Sequence, residues 1–161
     1  MRFLFDANVF IEAKNRYYAF DICPGFWDWM DHVVRVDAGS IDMVRDELCN
    51  GRDELAAWTR ARRDHPWFLK VDDAHTQAAF AAIATHVAGG IYTDAAKANF
   101  LGGADPWLIA KAQAVGATLV THEVAAPLAR KRVPIPNVCD HFSIPYMNTF
   151  DALRGLAGIF S

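Results

Sequence analysis

Apolar residues recur along this chain in two rhythms, and their alternation outlines a fold. Unbroken runs at residues 2–5 and 117–121 predict buried strands of a parallel sheet, because both faces of such a strand are covered. Residues 40–44 predict another strand, leading into a helical turn that carries Glu47 and stops at Asn50-Gly51. Residues 67–71 predict an edge strand and residues 144–147 a last one. Between these runs the spacing is helical. A helix is expected from Ala7 to about Arg16, and Phe26, Trp27, Met30, Val33 and Val34 make an amphipathic stripe with Asp28, Asp31 and His32 outside. Residues 53–63 are helical. Asp73 caps a long helix striped by Phe80, Ile83, Ala84 and Val87 and closed at Gly89-Gly90, and Thr93 caps the next, to about Leu101. Asp105-Pro106 starts a helix with an inner stripe of Leu108, Ile109, Ala112 and Val115, which ends at Gly116. The tail from Val133 is punctuated by prolines, with a final helix from about Phe150. Short apolar runs alternating with helices predict an α/β fold with a mostly parallel sheet.

Four acids stand at the junctions of this pattern. Asp6 follows the first run directly, Glu47 follows the strand at 40–44, Asp105 opens a helix leading into the run at 117–121, and Glu123 lies just beyond that run. Each has an ordinary explanation by itself. Asp6 and Asp105 serve as helix caps contributing about 1 kcal/mol each, Glu47 as a solvated helix residue and Glu123 as a loop charge. Together they carry more weight, because a parallel sheet gathers the carboxyl ends of its strands at one crevice. Carboxylates about 4 Å apart repel by about 4 kcal/mol per pair at an effective dielectric of about 20. A cluster of four therefore calls for a divalent cation, and oxygen-only donors suit Mg²⁺ or Mn²⁺.

Composition narrows the setting. The 161 residues suit one domain spanning 1–161, and 53% are hydrophobic, yet no apolar stretch approaches the length of a membrane span. The opening MRFLFDANVF has one positive charge and meets an aspartate at once, so it predicts a core strand rather than a signal peptide. Cys23, Cys49 and Cys139 are odd in number and lack CxxC spacing, which argues against a disulfide framework or zinc site and for a reducing cytoplasm. The net charge of −3 disfavours non-specific nucleic-acid binding, but setting the four acids aside turns the balance weakly positive. Two basic clusters, Arg60/Arg62/Arg63 and Arg130/Lys131/Arg132, are solvated faces by default; the second lies shortly after Glu123 and is better placed to meet phosphates.

The segments FDANVFI at 5–11, VRDEL at 44–48, ADPWLIAKA at 104–112 and LVTHE at 119–123 resemble the four acidic motifs of PIN-domain nucleases. The likeness runs from Phe3 to about Leu156, and the order and spacing of all four motifs carry it. Glutamate replaces the usual aspartate at the fourth motif, and the aromatic insertion after the first is longer than in small members. The resemblance implies a three-layer α/β/α sandwich and a metal-dependent ribonuclease, often the VapC-like toxin of a bacterial toxin–antitoxin pair. Asp6, Glu47 and Asp105 would hold one or two Mg²⁺ or Mn²⁺ ions, with Glu123 completing the second position directly or through water. Asn8 and Thr121 would orient the carboxylates. RNA is the implied substrate, with 5′-phosphate and 3′-hydroxyl products, and a small antitoxin or a second copy is the implied partner. Aromatic residues of the insertion, Tyr17, Tyr18 and Phe20, are candidates for stacking bases, for covering a partner's helix or for core packing. Two rivals stand beside this reading. One is a PIN-like binding module with weak or no nuclease activity. The other, a phosphatase with Asp6 as nucleophile, wants a second aspartate where Asn8 stands.

Overall fold

In the computed structural model, residues 2–32 and 37–156 are described. Strand β1 (Phe3–Phe5) leads into α1 (Ala7–Glu12), which runs on as a π-helical turn (Ala13–Tyr17) before α2 (Pro24–His32). Then follow β2 (Ala38–Ile41), α3 (Asp42–Cys49), α4 (Glu54–Arg60), β3 (Phe68–Leu69), α5 (Ala74–Ala88), α6 (Asp94–Leu101), α7 (Asp105–Val115) and β4 (Thr118–Val120). The described residues close with α8 (Ile135–Phe142), β5 (Tyr146–Met147) and α9 (Thr149–Gly155). None of the described helices is long and apolar enough to cross a membrane.

The five strands form one sheet in the order β3-β2-β1-β4-β5, and every pairing is parallel. The chain steps outward from β1 through β2 to β3, then returns across the sheet to β4 and β5. With right-handed crossovers this reversal puts the early helices on one face and the later ones on the other. The packing agrees: α3 lies on β2 and β3 and against α1 and α4, whereas α7 lies on β1, β2 and β4 and against α5, α6 and α8. The result is a three-layer α/β/α sandwich. Its topological switch point lies between β1 and β4, where open parallel sheets place their ligands.

The two faces are filled differently. Under α7 the packing is aliphatic, with Leu108, Ile109, Ile83 and Ile135 fully buried. Under α1 it is aromatic: Phe10 stacks on Trp67 at 5.9 Å, meets Phe5 edge-on at 5.9 Å and contacts Trp58. These rings pin α1, and so hold the residue between β1 and α1 at a fixed place. Gly116 ends α7 with a left-handed φ of 70°, a conformation that costs a residue with a Cβ.

Several boundaries differ from the sequence pattern. The second strand covers 38–41, not 40–44, and Asp42 already belongs to the helix. The helix expected over 53–63 is confined to Glu54–Arg60. Val115, expected on the inner stripe of α7, is 42% exposed at the helix end. Helix α8 was hidden by its prolines, which occupy its cap and first turn, where no amide partner is lost. Val33 and Val34 lie outside the described residues. The aromatic insertion mostly packs inward, with Phe26, Trp27 and Trp29 buried. Tyr18 stacks on Phe26 at 4.5 Å and Phe20 on Trp27 at 4.1 Å.

Candidate active site

Asp6 is held at the switch point from three sides. Its amide donates to the Val120 carbonyl at 3.0 Å, which ties it to the end of β4. The buried Ser40 hydroxyl donates to the Phe5 carbonyl at 2.6 Å, which fixes the end of β1 against β2. Thr121, just past β4, donates its hydroxyl to Asp6 Oδ2 at 3.1 Å and accepts the Glu123 amide at 3.1 Å. One buried threonine thus sets both the first acid and the loop of the fourth. Asp6 sits at the N-cap position of α1 yet makes no side-chain capping bond. Burial pushes its carboxyl up to about 7 and the charge of Asp105 adds to the rise, while the Thr121 hydroxyl and the amides of Ala7 and Asn8 oppose it.

Asp105 is the first residue of α7, with Ala104 in the cap position instead, and its side chain does not cap the helix. Its carboxyl is pushed up to about 6, first by burial and then by the charge of Glu47, with Arg132 pulling it down. Glu47 reaches across from α3, where its Oε1 accepts the Ala104 amide at 3.3 Å. The second of the four acids is therefore tied to the start of the helix that the third begins.

Glu123 is held by a cation instead. Arg132 donates to its carboxylate in a close ion pair. That pair stands between two hollows. One, of about 260 Å³, is lined by Asp105, Asn99, Lys131, Glu123 and Arg132; the other, of about 570 Å³, by Asn8, Glu12, Tyr17 and the same ion pair. Arg130 is exposed and lines neither hollow. Asn8 is also exposed and borders the larger hollow. The other basic cluster is engaged structurally: Arg62 forks onto Asp31 and lies over the Trp58 ring, and Arg60 donates to the carbonyls of Cys49 and Gly51.

The four acids thus do not meet at one point, which corrects the expectation of a single converged cluster. Among the described residues no three Asp, Glu, His or Cys side chains form a group that could hold a metal ion. They form a chain of neighbours, with Asp6 raised by Asp105, Asp105 raised by Glu47, and Glu123 turned onto Arg132. The reason is physical: Glu47 serves a backbone amide, and the arginine offers Glu123 an opposite charge. Oxygen donors crowded in pairs still fit Mg²⁺, which keeps several waters and takes one or two carboxylates together with substrate phosphates. Asp6 and Asp105 are that pair. Glu12 went unnoticed in the sequence, although its position four residues after Asn8 puts both on one side of α1.

Residues 3–159 match the family described as a domain of unknown function (DUF4411), and the chain belongs to that family. No curated protein matches it.

Proposed function

We propose that this protein is a metal-dependent endoribonuclease. The observation that carries this reading is the pair of acids at the switch point, Asp6 and Asp105: burial pushes both carboxyls up, and the charge of Asp105 raises Asp6 further. Such a pair is built to receive a positive charge rather than to stabilise the fold. Asp6 and Asp105 would hold Mg²⁺ or Mn²⁺, with Glu47 beside them. Bound there, the ion supplies an acidified water for in-line attack and charge on the scissile phosphate.

The chain's own residues do the rest. Thr121 holds Asp6 in its rotamer, and Glu47 keeps the start of α7 in register with it. Lys131 and Arg132 border the hollow that contains Asp105 and meet the RNA backbone. An incoming phosphate competes with Glu123 for Arg132, which frees that carboxylate to turn toward Asp105. The PIN-like motifs extend the proposal to a toxin restrained by a small antitoxin. The Arg132–Glu123 contact favours a second reading, a binding module whose acids have been turned to structural use.

The test is a panel of structured RNAs with purified protein and Mn²⁺ or Mg²⁺. Cleavage of single-stranded or loop segments is expected, stopped by EDTA and by Asp6→Ala or Asp105→Ala. Cleavage that persists in both variants would come from a contaminant. Metal bound without cleavage of any RNA would leave the binding module.

A further inference from the structure

We propose that the hollow beside Tyr17 is a nucleobase subsite, which stacks one base of a single-stranded RNA next to the phosphate bound by Arg132. The inference rests on the ribonuclease reading and adds where the substrate's bases go. At about 570 Å³ the hollow falls within the range of small-ligand sites. It shares Glu123 and Arg132 with the hollow that holds Asp105, so an occupant of one lies across a single ion pair from the acids.

Its walls have the two characters a nucleotide needs. Tyr17, Val124 and Pro134 give an apolar side, and Asn8 and Glu12 give hydrogen-bonding groups for a base edge. Tyr17 is 51% exposed, whereas its aromatic neighbours in the insertion turn toward the core. Its ring is nevertheless held, edge-on against Phe150 of α9 at 5.4 Å and 75°. An exposed aromatic with a fixed orientation loses little freedom when a base stacks on it. A docking groove for a partner's helix would want a longer apolar floor; here carboxylate, amide and guanidinium stand close around one ring. Duplex RNA is disfavoured, because its bases are already stacked on each other.

The experiment uses Asp105→Asn protein, which should leave RNA uncut, and fluorescence anisotropy with a fluorescein-labelled unstructured RNA of about twelve nucleotides, a length within the roughly 4–16 nucleotides of typical single-strand sites. Tyr17→Ala should weaken binding about tenfold, the loss of one stacked base, and Tyr17→Phe should restore it. An abasic nucleotide moved along the RNA should cost as much as Tyr17→Ala at one position, and that cost should vanish in the Tyr17→Ala protein. Equal binding by the alanine variant, or an abasic cost that is the same with and without Tyr17, overturns the subsite. Loss of a co-purifying protein from Tyr17→Ala with RNA binding unchanged also overturns it, in favour of a protein-docking surface. Cutting of the same RNA by the unsubstituted protein is scored separately. If cutting is retained and Asp6-dependent while Tyr17→Ala has no effect on binding, the subsite alone falls. If the RNA is neither cut nor bound, both fall.

Discussion

Asp53 and Asp73 precede helices α4 and α5 much as Asp6 precedes α1 and Asp105 begins α7, but the two pairs differ in everything that surrounds them. Asp53 and Asp73 each accept the amide of the third helical residue at 2.9 Å and meet a lysine, Lys14 or Lys111, at 2.7 Å. Hydrogen bonds from those lysines, and then from the capped amides, hold both carboxyls below the usual range. Asp6 and Asp105 make no capping bond, and burial and neighbouring acids push them upward. A carboxylate that stabilises a helix start is exposed, bonded to amides and paired with a cation. One that burial and neighbouring acids push upward lowers stability, and its place at the switch point gives it another use.

Function should separate the pairs most widely. Asp6→Asn and Asp105→Asn should lower RNA cleavage by orders of magnitude, while Asp53→Asn and Asp73→Asn leave the rate near that of the unsubstituted protein. Thr121→Ala should fall between, losing about tenfold to a hundredfold, because it orients Asp6 through a hydrogen bond rather than touching the substrate. Equal rates across all four aspartate variants would erase the distinction.

Metal linkage comes next in size. Mn²⁺ at about a hundred times its dissociation constant should stabilise the protein by about 2.7 kcal/mol, a rise in melting temperature of roughly 5–11 °C for a chain of this size. Asp6→Asn should lose most of that gain and Asp73→Asn none of it. A gain that survives in Asp6→Asn would put the ion elsewhere.

The pairs should also tilt the pH dependence of stability in opposite directions, measured as urea midpoints in EDTA. Asp6 titrates at about 7 when folded and at its ordinary 3.8 when unfolded, so across that window the native state holds more protons. Its contribution to stability therefore falls as pH rises from about 4 to 7 and stays low above. Asp6→Asn removes this loss, so its advantage over the unsubstituted protein should grow through the same window. The lowered carboxyl of Asp73 acts the other way: its contribution is complete above the ordinary aspartate range and is lost as pH falls below it. Asp73→Asn should thus be the weaker protein at neutral pH and approach the unsubstituted one in acid.

How much of this was legible in the sequence depends on whether the signal was local. The strands at β1 and β4, the caps at Asp73 and Thr93 and the break at Gly116 follow from short windows, and the structure has them. The parallel sheet followed from alternation. Which acids were caps and which were not could not be read locally, since Asp105-Pro106 looks like a better cap than Asp53 does. The difference lies in Thr121 and Glu47, which reach Asp6 and Ala104 across the fold. The turn of Glu123 onto Arg132 was equally invisible, because a loop separates the two residues and no periodicity governs a loop. Helix α8 was lost to Pro134 and Pro136, whose breaking signal holds inside a helix but not in its first turn.

The smallest effect tests the pair that serves the fold. Asp53 caps α4 through Ala56 and holds Lys14, which extends from the π-helical turn after α1. Asp53→Ala removes the cap, a loss of about 1 kcal/mol. The exposed ion pair with Lys14 adds at most about another 1 kcal/mol in low salt, and screening should remove that part as salt is raised. Asp53→Asn keeps an oxygen for the Ala56 amide and loses the charge. It should therefore show the salt-sensitive part without the larger, salt-insensitive one. Urea midpoints of the two variants at low and high salt separate the terms. If Asp53→Asn is as damaging as Asp53→Ala at high salt, the carboxylate does more than cap, and the line between the two pairs of acids is drawn in the wrong place.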